Sequence, residues 1–342
     1  EGTMPPKKVP AGFKDFGNNK TAIICNTPGG WSSGTMANIK ITFDGQNYID
    51  TGFDFYFYKI DYLNPASGPN VGNGPIQVMG SGFQNSTDVK CILNNIEMKP
   101  VDVYPDRILC PMTECSFGKN YTGPVDFGIT LNGIDWKMFP NGFYYYKQPS
   151  VNDIFPEHGP SKGKAKIKVF GKGFRDDFKG AKSGCKVGNY YGVGHIIDDK
   201  TMDCFIPNMP LLERNQTLNM TMALNNYSFT EEHKHLNFTP YGVSSISPSS
   251  GPIEGGTRIE VKGAGFFDSK NIRCRFGVPG WYGITTGKFI DYNKVICPSP
   301  IEYTIPEGGK LPYSIPFSIA FNDDEFSKFI LFIIFLIFYH II

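Results

Sequence analysis

Apolar residues recur at every second position in short bursts along this chain, and each burst ends in a turn. Four bursts read alike: Ile39-Lys-Ile41-Thr-Phe43-Asp-Gly45, Phe127-Gly-Ile129-Thr-Leu131-Asn-Gly133, Met220-Thr-Met222-Ala-Leu224-Asn-Asn226 and Phe317-Ser-Ile319-Ala-Phe321-Asn-Asp323. A period of two sets the apolar side chains on one face of a strand, and the Asn or Asp that follows turns it into a hairpin. No stretch of a dozen residues spaces its apolar positions i, i+3, i+4, i+7 between helix caps, so the pattern predicts an all-β chain. Its 39 glycines, 26 prolines and 15% aromatic content suit many short strands joined by turns.

A longer unit contains these bursts. Pro65 to Phe83 reads PASGPNVGNGPIQVMGSGF, Pro156 to Phe174 reads PEHGPSKGKAKIKVFGKGF, and Pro248 to Phe266 reads PSSGPIEGGTRIEVKGAGF. The opening prolines lie 91 and 92 residues apart with the internal spacing unchanged, which is the mark of a tandem array. Further on, Asp106-Arg-Ile-Leu-Cys110, Lys200-Thr-Met-Asp-Cys204 and Lys294-Val-Ile-Cys297 correspond, and Lys20-Thr-Ala-Ile-Ile-Cys25 matches them. The domains expected are therefore 1–57, the back half of a repeat, then 58–149, 150–241 and 242–342 as full repeats.

Each full repeat reads as roughly seven short strands, the pattern of an immunoglobulin-like sandwich. At the junctions Ile60 and Leu63, Val151 and Ile154, and Val243 and Ile246 precede the turn proline, with no Gly/Ser or charged linker between copies. Neighbouring sandwiches should touch and form a rod. In Gly80-Ser-Gly82-Phe83, Gly171-Lys-Gly173-Phe174 and Gly263-Ala-Gly265-Phe266, the glycines permit a bulge or a left-handed turn and the phenylalanine enters the core. The nucleotide reading of this element fails: no third glycine at the dinucleotide spacing, no Gly-Lys-Ser/Thr and no helix follow.

Pro-x-x-Gly-Pro, a Gly-rich loop, a strand ending Gly-x-Gly-Phe, then one cysteine and a second before proline: this order resembles the IPT/TIG domain. That is the immunoglobulin-like fold of plexins and related receptors, fibrocystin-like surface proteins and some transcription factors. The resemblance covers nearly the whole chain. It implies a scaffold and leaves activity open.

The cysteines recur with the repeat. Cys91 and Cys110, Cys185 and Cys204, and Cys274 and Cys297 stand 19, 19 and 23 residues apart. Metal and redox readings want Cys-x-x-Cys or clustered histidines, which are missing, so repetition favours structural disulfides and an oxidising compartment. Cys25 holds the second-cysteine position of the half repeat, and its partner is expected upstream of Glu1. Cys115 has no counterpart in the other copies; it is a packed thiol, a partner for Cys25 or an inter-chain link.

Charge adds an exclusion. With 33 Lys and Arg against 32 Asp and Glu, no net field draws nucleic acid. Seven Asn-x-Ser/Thr sequons stand at Asn19, Asn85, Asn120, Asn215, Asn219, Asn226 and Asn237, four of them within one short segment. Asn226 should face water from its hairpin, and Asn219 should face away from Met220 and Met222.

Enzyme signatures are lacking: no Gly-x-Ser-x-Gly, His-Glu-x-x-His or Ser-x-x-Lys occurs, and no cofactor is expected. His233 and His235, beside Glu231, are a solvated strand edge or a surface metal site. Trp136, aligned with Tyr48, Phe229 and Phe326, reads as core, whereas Trp281 on a Gly-rich loop packs locally or meets a partner. The apolar tail Phe329 to Ile342 is short for a membrane helix. It reads as a closing strand with Ile333 at the position of Phe143, as an anchor, or as a truncation artefact. The function expected is an extracellular or cell-surface rod with a structural, adhesive or stalk role, partnered by its own copies or other surface proteins and carrying N-linked glycans. The rivals are the accessory region of a secreted carbohydrate-active enzyme and a DNA-binding protein of the same fold.

Overall fold

The computed structural model describes residues 6–17, 21–211, 217–231, 236–278, 281–301, 313–322, 325–328 and 330–335. Every regular element among them is a strand. The chain forms two compact units: Glu1–Ala66, Gly74–Thr113 and Pro124–Phe143 make the first, and Ser67–Asn73, Glu114–Gly123 and Tyr144–Ile342 the second.

In the second unit, Lys162–Lys172 pairs antiparallel with Ser150–Phe155 and Thr201–Asn208, while Gly184–Val187 pairs with Leu218–Ala223. Tyr190–Ile196 bonds to both Thr201–Asn208 and Gly184–Val187 and so joins the two sheets. Ile167, Val169, Cys185, Cys204, Met222 and Phe238 fill the space between them. The third repeat stacks Ile259, Val261, Phe276, Phe317 and Phe332 in the same way. No linker separates these two sandwiches: strand Asn237–Ser247 pairs with Leu218–Ala223 in one and Arg258–Ala264 in the other.

The repeated motif is the place where the chain changes sheets. Ser250–Pro252, after the cis bond to Pro248, leaves the partner of Asn237–Ser247 and runs parallel to Ile330–Phe335. His158–Pro160 and Ser67–Pro69 do the same along residues 239–241 and 144–146. The two glycines of the closing Gly-x-Gly-Phe serve different ends. The second has φ of +74°, +80° and +71° at Gly82, Gly173 and Gly265, the left-handed region that side chains avoid. A Cβ on the first, at Gly80, Gly171 or Gly263, would run into the ring of Phe83, Phe174 or Phe266 and into a carbonyl of the neighbouring strand. The bulge falls on that neighbouring strand, at Ile60/Tyr62, Val151/Asp153 and Val243/Ser245, opposite the glycine.

In the first unit, Pro75–Ser81 lies between Lys59–Asn64 and Arg107–Pro111, and Lys90–Leu93 pairs with Gly123–Thr130. Among its described residues the half repeat forms two-stranded sheets, Ala11–Asp15 with Thr21–Cys25 and Met36–Ile41 with Ile49–Tyr56. Phe13, Phe43 and Phe53 stand exposed on them.

Three sequence expectations shift. Residues 330–335 form the closing strand, but Ile333 opposes Ser250 as Tyr144 opposes Ser67. Phe332 therefore takes the position of Phe143; a slip of one residue reverses the face, leaving Phe332 buried and Ile333 exposed. Trp136 stands at the first position of its strand and is half-buried, where a core position was expected. Trp281 starts the strand Trp281–Thr286 instead of lying on a loop. Among the described residues no helix is long and apolar enough to cross a membrane.

Candidate functional site: staples, sequons and the repeat junction

Disulfides join Cys91 to Cys110, Cys185 to Cys204 and Cys274 to Cys297, each with Cα atoms 6.0 Å apart and all six cysteines fully buried. In each case the first cysteine sits on the strand after Gly-x-Gly-Phe and the second on a strand bonded to the Gly-x-Gly-Phe strand itself. Each bond thus crosses a sandwich from sheet to sheet. Closing a loop of this length contributes about 3 kcal/mol in the chain-entropy account. Cys25 and Cys115 are free thiols. Cys25 is exposed, whereas Cys115 is 6% exposed and its N–H donates to the Asn70 carbonyl at 2.9 Å.

The described sequons fall into two groups. Asn85 and Asn120 are exposed on loops; Asn219, Asn226 and Asn237 are half-buried. Asn226 has a φ of +62°, and its amide oxygen occupies the space a Cβ on Gly184 would need, so it leans on the sheet where open water was expected. Asn19, Asn215, His233 and His235 lie outside the described residues.

The hairpin turn after each alternating strand is stapled by its first residue. Asp44, Asn132, Asn225 and Asn322 each accept, through a side-chain oxygen, from the backbone N–H three residues on, at 2.7, 2.8, 2.8 and 3.1 Å. The backbone N–H of Asn47 is the largest of several donors that hold the Asp44 carboxyl well below the usual range. In the second unit this turn does more than reverse the chain. Asn225 Nδ2 donates to the Ser67 carbonyl at 2.7 Å, Ser228 Oγ to the Asn73 carbonyl at 2.9 Å, and Asn73 Nδ2 returns to the Phe229 carbonyl at 3.0 Å.

One repeat later the positions of Ser67 and Ser228, now His158 and Glu325, again make contacts between copies, with other partners. Tyr241 donates its hydroxyl to the Glu325 carbonyl, the Lys166 N–H donates to Glu325 Oε1 at 3.3 Å, and the His158 ring stacks on Phe267 at 4.0 Å. Ser67 and His158 are both the third residue of Pro-x-x-Gly-Pro. Burial holds the His158 imidazole below its ordinary value, against a smaller opposing pull from Glu157. Burial also raises the Glu325 carboxyl, opposed by hydrogen bonds from Asn322 and the Lys166 backbone. The sequence implies that neighbouring sandwiches touch without marking these residues as the contact. Their signal was the polar residue recurring three places after each turn Asn or Asp: Asn47, Asp135, Ser228 and Glu325.

A family model described as the IPT/TIG domain matches residues 149–238 and 240–318, the two matches meeting at Thr239 near the start of the shared strand. The chain carries tandem IPT/TIG domains. Human fibrocystin-L is 23% identical over 75% of this chain, and human plexin-A3 20% identical over 71%. The chain spans only 6% and 13% of those two relatives. Among solved structures, the full extracellular region of plexin A4 aligns over 84% of this chain and 26% of its own, with 15% identity and a TM-score of 0.40.

No group of three His, Cys, Asp or Glu among the described residues could hold a metal. The shared strand and the Asn-led turns give the IPT/TIG domains of the second unit their contacts.

Proposed function

We propose that this chain is a segment of an extracellular or cell-surface structural or adhesive protein, in which disulfide-stapled, glycosylated IPT/TIG domains space and present binding surfaces in a receptor stalk, filament or coat. The observation that carries this reading is the set of three buried disulfides at one repeat position, since such bonds form and persist in oxidising compartments. The relatives support it as well: fibrocystin-L and the plexins carry IPT/TIG domains in extracellular regions. The junction contacts around Tyr241 and Glu325 suit a part whose work is to hold spacing. No catalytic role is assigned. The test is secretion of the chain from a eukaryotic host, followed by intact mass with and without reductant and glycosidase. Three disulfides and a glycan mass are expected; a reduced, unmodified chain retained inside the cell would overturn the reading.

A further inference from the structure

We propose that Asn219 and Asn237 form a single glycan seat, so that a folded chain carries an N-linked glycan on one of them and not on both. The proposal rests on the extracellular reading above and deepens it.

The two asparagines lie 18 residues apart in sequence yet are direct cross-strand partners, Asn219 on Leu218–Ala223 opposite Asn237 on Asn237–Ser247. Their neighbours Met220, Leu236 and Phe238 are buried in the core, so alternation turns both asparagines to the outer face of the same sheet. Opposed side chains on adjacent antiparallel strands have Cβ atoms about 5 Å apart. A pyranose ring with its N-acetyl arm is wider than that.

Backbone stands on both flanks. The Gly188 N–H donates to the Asn219 carbonyl at 2.8 Å, and the Thr239 N–H donates to the Glu157 carbonyl at 2.8 Å. Two glycan stems would have to rise side by side through one gap in the sheet surface.

The chemistry fixes the order of events. An amide Nδ2 attacks the anomeric carbon of a polyisoprenyl-diphosphate oligosaccharide; the N–C1 bond forms, the C1–O bond to phosphate breaks, the amide gives up a proton and the lipid diphosphate leaves. The sequon hydroxyl must be accessible to the transferase. Thr221 and Thr239, the two hydroxyls concerned, are buried in the folded sandwich. Transfer at this pair therefore precedes folding, and a chain modified twice cannot close the Leu218–Phe238 and Asn219–Asn237 pairing. Asn85 and Asn120, exposed on loops, are not cross-strand partners and face no such choice.

The experiment uses the full chain secreted from a eukaryotic host. Cleavage at arginine releases the segment between Arg214 and Arg258, which holds both sites. Enzymatic deglycosylation in heavy-oxygen water marks each formerly occupied asparagine, and fragmentation locates the marks on single peptides. Peptides marked at Asn219 or at Asn237 are expected, with doubly marked ones absent; Asn219→Gln should move occupancy to Asn237, and Asn237→Gln should move it to Asn219. Doubly marked peptides in folded, secreted protein would overturn the shared seat and leave the glycoprotein reading standing. So would an Asn219→Gln chain with no mark at Asn237. A chain unmarked at every sequon would instead remove the glycoprotein reading, and the seat with it.

Discussion

Residues 21–57 and the back half of the second repeat are spelled alike and live differently. Ile39-Lys-Ile41-Thr-Phe43 and Met220-Thr-Met222-Ala-Leu224 share one alternation and one turn. Leu224 is 0% exposed and Phe43 is 80% exposed. Cys204 is bonded and buried; Cys25, at the same point of the pattern, is a free and exposed thiol. What separates them is the rest of the sandwich: the opposing strands Ser150–Phe155 and Lys162–Lys172, and the same-sheet neighbour Gly184–Val187, are present in one region and unmatched among the described strands of the other. Alternation thus determines a strand and which face is apolar. Burial is conferred by strands elsewhere in the chain.

This contrast can be broken by substitution. Leu224→Ala should destabilise its sandwich by about 2–5 kcal/mol, the cost of a cavity in a filled core. Phe43→Ala should stay within about 0.5 kcal/mol, as for an exposed site. Hydrogen exchange of the slowest amides in each region reads both effects. Equal losses would mean that something covers the Phe43 face.

Replacing both Cys185 and Cys204 by alanine should cost about 3 kcal/mol, seen as a lower melting temperature. Cys25→Ala should leave melting unchanged. His158→Ala should cost about 1 kcal/mol through loss of its stack on Phe267, and a double-mutant cycle with Phe267→Ala would isolate that pair.

The smallest effect is one of pH. Because burial depresses the His158 value, its share of stability is complete above the ordinary 6.5 and is lost as pH falls from there through the lowered value. Glu325, raised from 4.5, works the other way and favours the fold as it takes up its proton at lower pH. Melting of the second unit should therefore soften just below pH 6.5, and His158→Phe should flatten that step. A step that survives the substitution assigns it to another group.

Much of this fold was legible because its determinants are local. Strand alternation, the turn Asn or Asp, and the glycine pairs act within a few residues, and repetition multiplied each signal. Register at the last strand was misread by one residue, Ile333 for Phe332, since an unbroken apolar run carries no alternation to count. Trp136 shows the second limit: alignment gives a position in the pattern and not the number of neighbours around it. The sites divide the same way. Cysteine spacing was visible, but the pairing of Asn219 with Asn237 and the reach of Asn225 to Ser67 depend on strands brought together from far along the chain.

The shared strand Asn237–Ser247 also bears on how this protein would meet mechanical load. A pull along the chain arrives at a segment gripped by two ladders in series, with the bulge at Val243/Ser245 inside the second. Peeling that strand from one sandwich strips an edge from the other, so there is no slack to take up before bonds in both begin to share the force. A flexible tether would stretch first and protect its domains; this segment passes tension straight into the two sheets, beside cores that the Cys185–Cys204 and Cys274–Cys297 bonds keep from opening far.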